Sequence, residues 1–189
     1  GGTGWYRKHF ALADLAPDEQ VEIRFDGAFM IAEVWLNGAK LGRNINGYTG
    51  FAFDLTPHLS ADGHNVLAVK VMNEGETARW YSGSGLYRHV WLSRTGAVRV
   101  PLDGIAITTP VADKARGRVV VGVEVENRNK QPRDAEYRIV LRNGSGQVVA
   151  SAEGNVPLAA GHTGTINVQL DVDQPALWSP DSPNLHQAE

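Results

Sequence analysis

Apolar and polar residues alternate along this 189-residue chain with a period of two rather than 3.6. In VEIRFDG, Val21, Ile23 and Phe25 fall on one side and Glu22 and Arg24 on the other, as in a strand with one buried face. The run FMIAEVWLNGAKLG sets Asn37-Gly38 between two apolar stretches. This pair readily takes the positive φ angles of a type I′ turn, so a hairpin is predicted. GYTGFAFDLT carries Tyr48, Phe51 and Phe53 in imperfect alternation, and Pro57 with SADGHN then breaks the chain. NVLAVKVMN resumes as a strand with Leu67, Val69 and Val71 on one face.

A second series follows VWLSRTGAVRVPLDG, where Pro101 cannot donate to a ladder and Asp103-Gly104 signals a turn. A domain boundary is expected there. Beyond it GIAITT, RVVVGVEVEN with Val119, Val121, Val123 and Val125 in strict alternation, AEYRIVLRN, GQVVASAEG and TINVQLDV succeed one another. Their spacing, roughly 8–12 residues, is that of a small sandwich. LADLAPDEQ has room for one helical turn, and no long amphipathic helix is predicted. The pattern therefore predicts an all-β chain of two sandwiches, one over residues 1–100 and one over residues 101–189, each large enough for its own core. The proline-rich tail around Trp178 reads as a tether leading elsewhere.

Composition narrows the function classes. Hydrophobic residues make up 42% and charged residues 21%, an ordinary globular balance, and the net charge of -3 offers no excess of cations for a phosphate backbone. A nucleic-acid partner is not expected. The absence of cysteine excludes disulfides, thiolate metal sites and a cysteine nucleophile, and leaves cytoplasm, periplasm and extracellular medium equally open. No apolar run approaches the roughly 20 residues of a membrane span, and GGTGWYRKHF is not a signal sequence.

Candidate chemistry is sparse. Asn73-Glu74 ends a strand, like the acid-bearing pair of many sugar-cleaving barrels, but without alternating strands and helices it reads as a solvated loop carboxylate. His9, His58, His64, His89, His162 and His186 share no metal-ligand spacing, and Gly83 to Gly85 does not open a helix over a phosphate. Asp26, Asp54 and Asp62 lack the spacing of a calcium loop. No metal or cofactor is expected.

The stretch RWYSGSGLYRHVWL concentrates the aromatic residues. Trp91 and Leu92 read as strand residues that fill the core. Arg79, Trp80 and Tyr81 precede a Gly-Ser-Gly bend, where long side chains project outward. Aromatic faces stack on the C–H surface of sugar rings and a guanidinium presents fixed donors to hydroxyl oxygens, so these three are the candidate substrate-binding residues. The competing reading makes them inert cover for the sandwich edge.

GWYRKHF, VWLNGAKLG, GYTGFAFDLT, NVLAVKV and RWYSGSGLYRHVWL, in this order, resemble the N-terminal sugar-binding sandwich of glycoside hydrolase family 2, especially its β-galactosidases. The second half, ending in LWSPDSPNL, resembles the immunoglobulin-like domain that follows in that family. The resemblance implies a jelly-roll sandwich before an immunoglobulin-like one, in a parent that hydrolyses terminal β-glycosides by a retaining mechanism. Its two glutamates lie in a (β/α)8 barrel and carry over to no residue here, so the chain reads as non-catalytic; the segment that usually precedes GWYRK in the family is lacking as well, so both ends read as trimmed. Arg79 matches a position that in several members is an acidic residue touching the sugar; here a cation donates instead of accepting. The implied partners are a terminal β-glycoside and the catalytic barrel of the same parent chain. The alternatives are a free-standing carbohydrate-binding module and a structural or adhesin tandem sandwich.

Overall fold

The computed structural model describes residues 1–75, 79–80 and 83–189. They form two compact units, Gly1–Gly96 and Ala97–Glu189. In unit 1 the strands are β1 (Gly2–Ala11), β2 (Gln20–Phe25), β3 (Ala28–Phe29), β4 (Ile31–Leu36), β5 (Ala39–Asn44), β6 (Phe51–Asp54), β7 (His64–Asn73), β8 (Gly85–Leu86) and β9 (Val90–Thr95). One antiparallel sheet runs β1-β7-β4-β5 and the other β6-β2-β9, with the short pair β3-β8 beside them. The predicted alternation holds residue by residue: Val21, Ile23 and Phe25 of β2 meet Val34 and Leu36 of β4 and Leu67, Val69 and Val71 of β7 in one buried cluster. Phe51 of β6 stacks on Phe25 with ring centroids 4.9 Å apart.

The predicted hairpin joins β4 to β5, with Asn37 at φ 51° and Gly38 at φ 86°. Its turn is fastened by an amide network. Asn37 Nδ2 donates to Asn65 Oδ1 at 2.9 Å and to the His58 carbonyl at 2.9 Å, while Val66 N donates to Asn37 Oδ1 at 2.9 Å. Asn65 is itself buried and also receives Ser60 N at 3.0 Å.

The core-filling role expected of Trp91 and Leu92 is not observed: they are 52% and 47% exposed. Adjacent strand residues point to opposite faces, so both could not have faced one core. Trp91 pairs with Arg24 on the outer face of its sheet, where its indole N–H donates to Asp26 Oδ2 at 2.7 Å. That bond, together with Arg24, holds the Asp26 carboxyl below its ordinary range against a smaller opposing effect of burial. Leu92 pairs with Ile23 and faces inward, but β9 is an edge strand and no further strand covers it among the described residues.

Unit 2 comprises β10 (Val98–Arg99), β11 (Ile105–Ala112), β12 (Arg116–Asn127), β13 (Arg133–Arg142), β14 (Val148–Leu158), β15 (Thr163–Asp173), β16 (Trp178–Ser179), β17 (Ser182–Pro183) and β18 (Gln187–Ala188). β12 pairs with β10 and β11 on one edge and β15 on the other, and β14-β13-β18 forms the facing sheet. Val121 and Val125 of β12 and Ile166, Val168, Leu170 and Val172 of β15 pack against Ile139 and Leu141 of β13. Pro110 sits where the β11 register shifts, a place where a residue without an N–H is tolerated. The tail, read from its prolines as a tether unable to continue a strand, forms short strands. β16 and β17 pair, β18 joins β13, and Val140 and Glu189 exchange two backbone bonds of 2.9 Å.

Phe25→Ala is expected to destabilise unit 1 by about 3–5 kcal/mol, because it empties a closed site. Leu92→Ala, at the open edge, should cost about 1 kcal/mol or less. Urea denaturation measures both, and comparable losses would contradict the open edge at β9.

Candidate functional site

The chain between β7 and β8 carries Arg79 and Trp80, and its seat is built from both ends. The inward face of β7 runs through Leu67, Val69 and Val71, and its next inward position is Asn73, only 5% exposed. A buried amide needs partners. Asn73 Nδ2 donates to Ser84 Oγ at 2.7 Å, across the base of the loop. Beside it the Thr3 hydroxyl of β1 donates to Glu74 Oε1 at 2.6 Å, so the exposed Glu74 carboxylate is tied to the sheet edge.

On the returning side Gly85 has φ +94°, and an added Cβ would overlap the Tyr6 hydroxyl. Glycine is required there by both conformation and space. Leu86 N donates to Tyr6 Oη at 3.3 Å, and Tyr87 Oη donates to the Gly47 carbonyl at 2.8 Å. Phe29 pairs with Gly85 in the β3–β8 ladder. An open depression of about 280 Å³ lies at the base of the loop, lined by Thr3, Tyr6, Phe29, Val71, Asn73 and Ser84 with several glycines. Three hydroxyls and an amide converge on it, a lining suited to polar ligands.

Arg79 and Trp80 both lie in solvent, with Trp80 69% exposed. Among the described residues Arg79 makes no hydrogen bond or ion pair. Tyr81 lies outside the described residues. The other candidates remain apart. Asp62 accepts from Ser60 Oγ at 2.7 Å and Asp54 from Thr56 N at 2.9 Å, each bound within its own turn. Among the described residues no three His, Cys, Asp or Glu side chains converge as metal ligands, and no helix is long and apolar enough to cross a membrane. A larger groove of about 440 Å³ lies between β1 and β9, lined by Phe10, Phe25, Leu86, Val90 and Leu92, and is too apolar to match a hydroxyl-rich ligand.

Residues 1–96 match the family 2 glycosyl hydrolase sugar-binding domain, and residues 100–189 match a second domain of glycosyl hydrolases family 2. The chain belongs to this family. It is 38% identical over 187 residues to the β-galactosidase BoGH2A of Bacteroides ovatus, covering 98% of this chain and 22% of that protein. To a putative β-glucuronidase of Formosa agariphila it is 36% identical over 190 residues, covering 100% of this chain and 18% of that protein. A solved family 2 structure from Bacteroides cellulosilyticus superposes with a TM-score of 0.91 at 36% identity, over 99% of this chain and 24% of that one. A Bacteroides uniformis β-glucuronidase gives a TM-score of 0.89 at 30% identity, over 99% and 24%. The chain thus spans about a fifth to a quarter of the length of these family 2 relatives.

Sequence reasoning missed the supporting residues Tyr6, Asn73 and Ser84. The signal was present in β7, where strict alternation places an amide at the next core position. Gly85→Ala is expected to destabilise unit 1 by about 2 kcal/mol or more, through backbone strain and overlap with Tyr6. Adding Tyr6→Phe should recover part of that loss in urea titrations; no recovery would show that the tyrosine hydroxyl is not the obstacle.

Proposed function

We propose that this chain is the non-catalytic part of a β-galactosidase-like glycosidase, in which the loop bearing Arg79, Trp80 and Tyr81 completes a sugar pocket shared with a catalytic barrel. Unit 2 serves as the spacer that holds the barrel in register, and a terminal β-glycoside is the substrate class. The observation that carries this reading is the exposed Arg79 guanidinium, without a described intramolecular partner, on a loop clamped at its base by Asn73 and Ser84. A clamped base limits the entropy lost when the loop meets a ligand. An arginine without a fixed partner keeps its donors for sugar oxygens.

The proposed role is positional. Contacts made by one domain orient a sugar for carboxylates in another, and binding energy remote from the reacting bond lowers the barrier only when both halves are present. Relatives named as β-galactosidases and as β-glucuronidases match alike, and a terminal β-glycoside is the substrate description that both names share.

Calorimetric titration of the 189-residue chain with galactose, lactose and glucuronate should show little or no binding. Tight saturable binding abolished by Arg79→Ala would overturn the accessory role in favour of a free-standing carbohydrate-binding module. In the complete enzyme, Arg79→Ala should lower kcat/KM about tenfold or more while leaving the unfolding midpoint unchanged. An unchanged kcat/KM would remove the loop from the pocket.

A further inference from the structure

The outer face of the β1-β7-β4-β5 sheet carries an aromatic and cationic surface away from the buried core. Across the strands the register sets Trp5 beside Lys70, Lys70 beside Glu33 and Glu33 beside Arg43. The next row runs from Arg7 through Ala68 and Trp35 to Lys40. With strands about 4.8 Å apart and alternate residues about 6.7 Å apart, the two rows cover roughly 14 by 7 Å.

The two tryptophan rings lie 5.3 Å apart and tilted by 32°, with Lys40 5.3 Å from the Trp35 centroid and Lys70 6.0 Å from that of Trp5. Trp5 is nevertheless 60% exposed. Glu33 is the acid of these rows, and it is hydrogen-bonded by Lys40. That bond, reinforced by the charges of Lys40, Lys70 and Arg43, holds its carboxyl below the ordinary range, so it is ionised at neutral pH and offsets one cation of four. The chain as a whole is anionic, at -3, so this face runs against the global balance.

A purely apolar partner would have to desolvate the cations without pairing them, and a neutral sugar would stack on the indole and leave them unmatched. The surface is complementary to a ligand that combines apolar ring faces with negative charge. We propose that this sheet face is a platform for an acidic oligosaccharide, whose sugar rings stack on Trp5 while ring carboxylates meet Lys70, Arg7 and Arg43. The platform stands on these residues alone and not on the assignment of Arg79.

The test is calorimetric titration of the 189-residue chain with tetragalacturonate, with a neutral galactotetraose and single-stranded DNA of matched charge as comparators. Saturable binding of the tetragalacturonate is expected, weakened about tenfold by Trp5→Ala and strongly reduced when salt rises from about 50 to about 500 mM. Arg7→Gln combined with Lys70→Gln should weaken it comparably without touching a tryptophan, while Arg79→Ala leaves it unchanged. Unfolding curves check that each variant is folded. Equal affinity for the neutral tetraose or for the DNA would overturn the proposal. So would indifference to both platform variants, or a loss in Arg79→Ala as large as in Trp5→Ala, which would place the ligand on the loop.

Discussion

A buried side-chain amide at the end of a central strand is the device on which both units depend. In β7 the inward positions are Asn65, Leu67, Val69, Val71 and Asn73, an apolar core strip bounded by a buried asparagine at each end. Burying an unsatisfied amide costs about 1–3 kcal/mol, so each end of the strip is obliged to capture a partner. Asn65 captures the Asn37 turn and the backbone at Ser60. Asn73 captures Ser84. Hydrophobic burial sets the register of β7, and the register in turn decides which loops are held and where.

Unit 2 repeats the arrangement with different partners. The inward face of β12 runs from Val119 through Val125 and reaches Asn127, which is 1% exposed. Its Nδ2 lies 3.0 Å from the Gln131 carbonyl and 3.2 Å from those of Leu158 and Ala159, while Asn129 N donates to its Oδ1 at 3.0 Å. One side chain thereby ties the β12–β13 connection to the end of β14. In unit 1 the corresponding amide instead secures the base of the chain segment that carries the exposed Arg79 and Trp80.

The strands were legible because alternation is a local property. Val21 to Phe25, Leu67 to Val71 and Val119 to Val125 each state their own inward face, and Asn37-Gly38 states its own turn through the φ angles it tolerates. Burial is not local, and the errors lie there. Leu92 points inward as a strand residue should, but its exposure is decided by whether another strand lies beyond β9, which no window around HVWL contains. Trp178 and the prolines near it look unable to continue a sheet, yet the chain beyond them returns to pair with β13. The seat of the loop was hidden for a related reason: a polar residue at a strand end resembles the start of a turn until the strand is known to be buried there.

Energetics connect the clamped loop to the role proposed for it. A guanidinium and an aromatic face contribute about 1–3 kcal/mol each when a ligand is well seated, against an association cost of about 4 kcal/mol or more. Two or three such contacts on one domain do not hold a single sugar. They become effective when the ligand is already immobilised by other groups, because the cost of association is then met once and each added contact counts nearly in full. A surface with few such groups is therefore better matched to completing a pocket than to forming one.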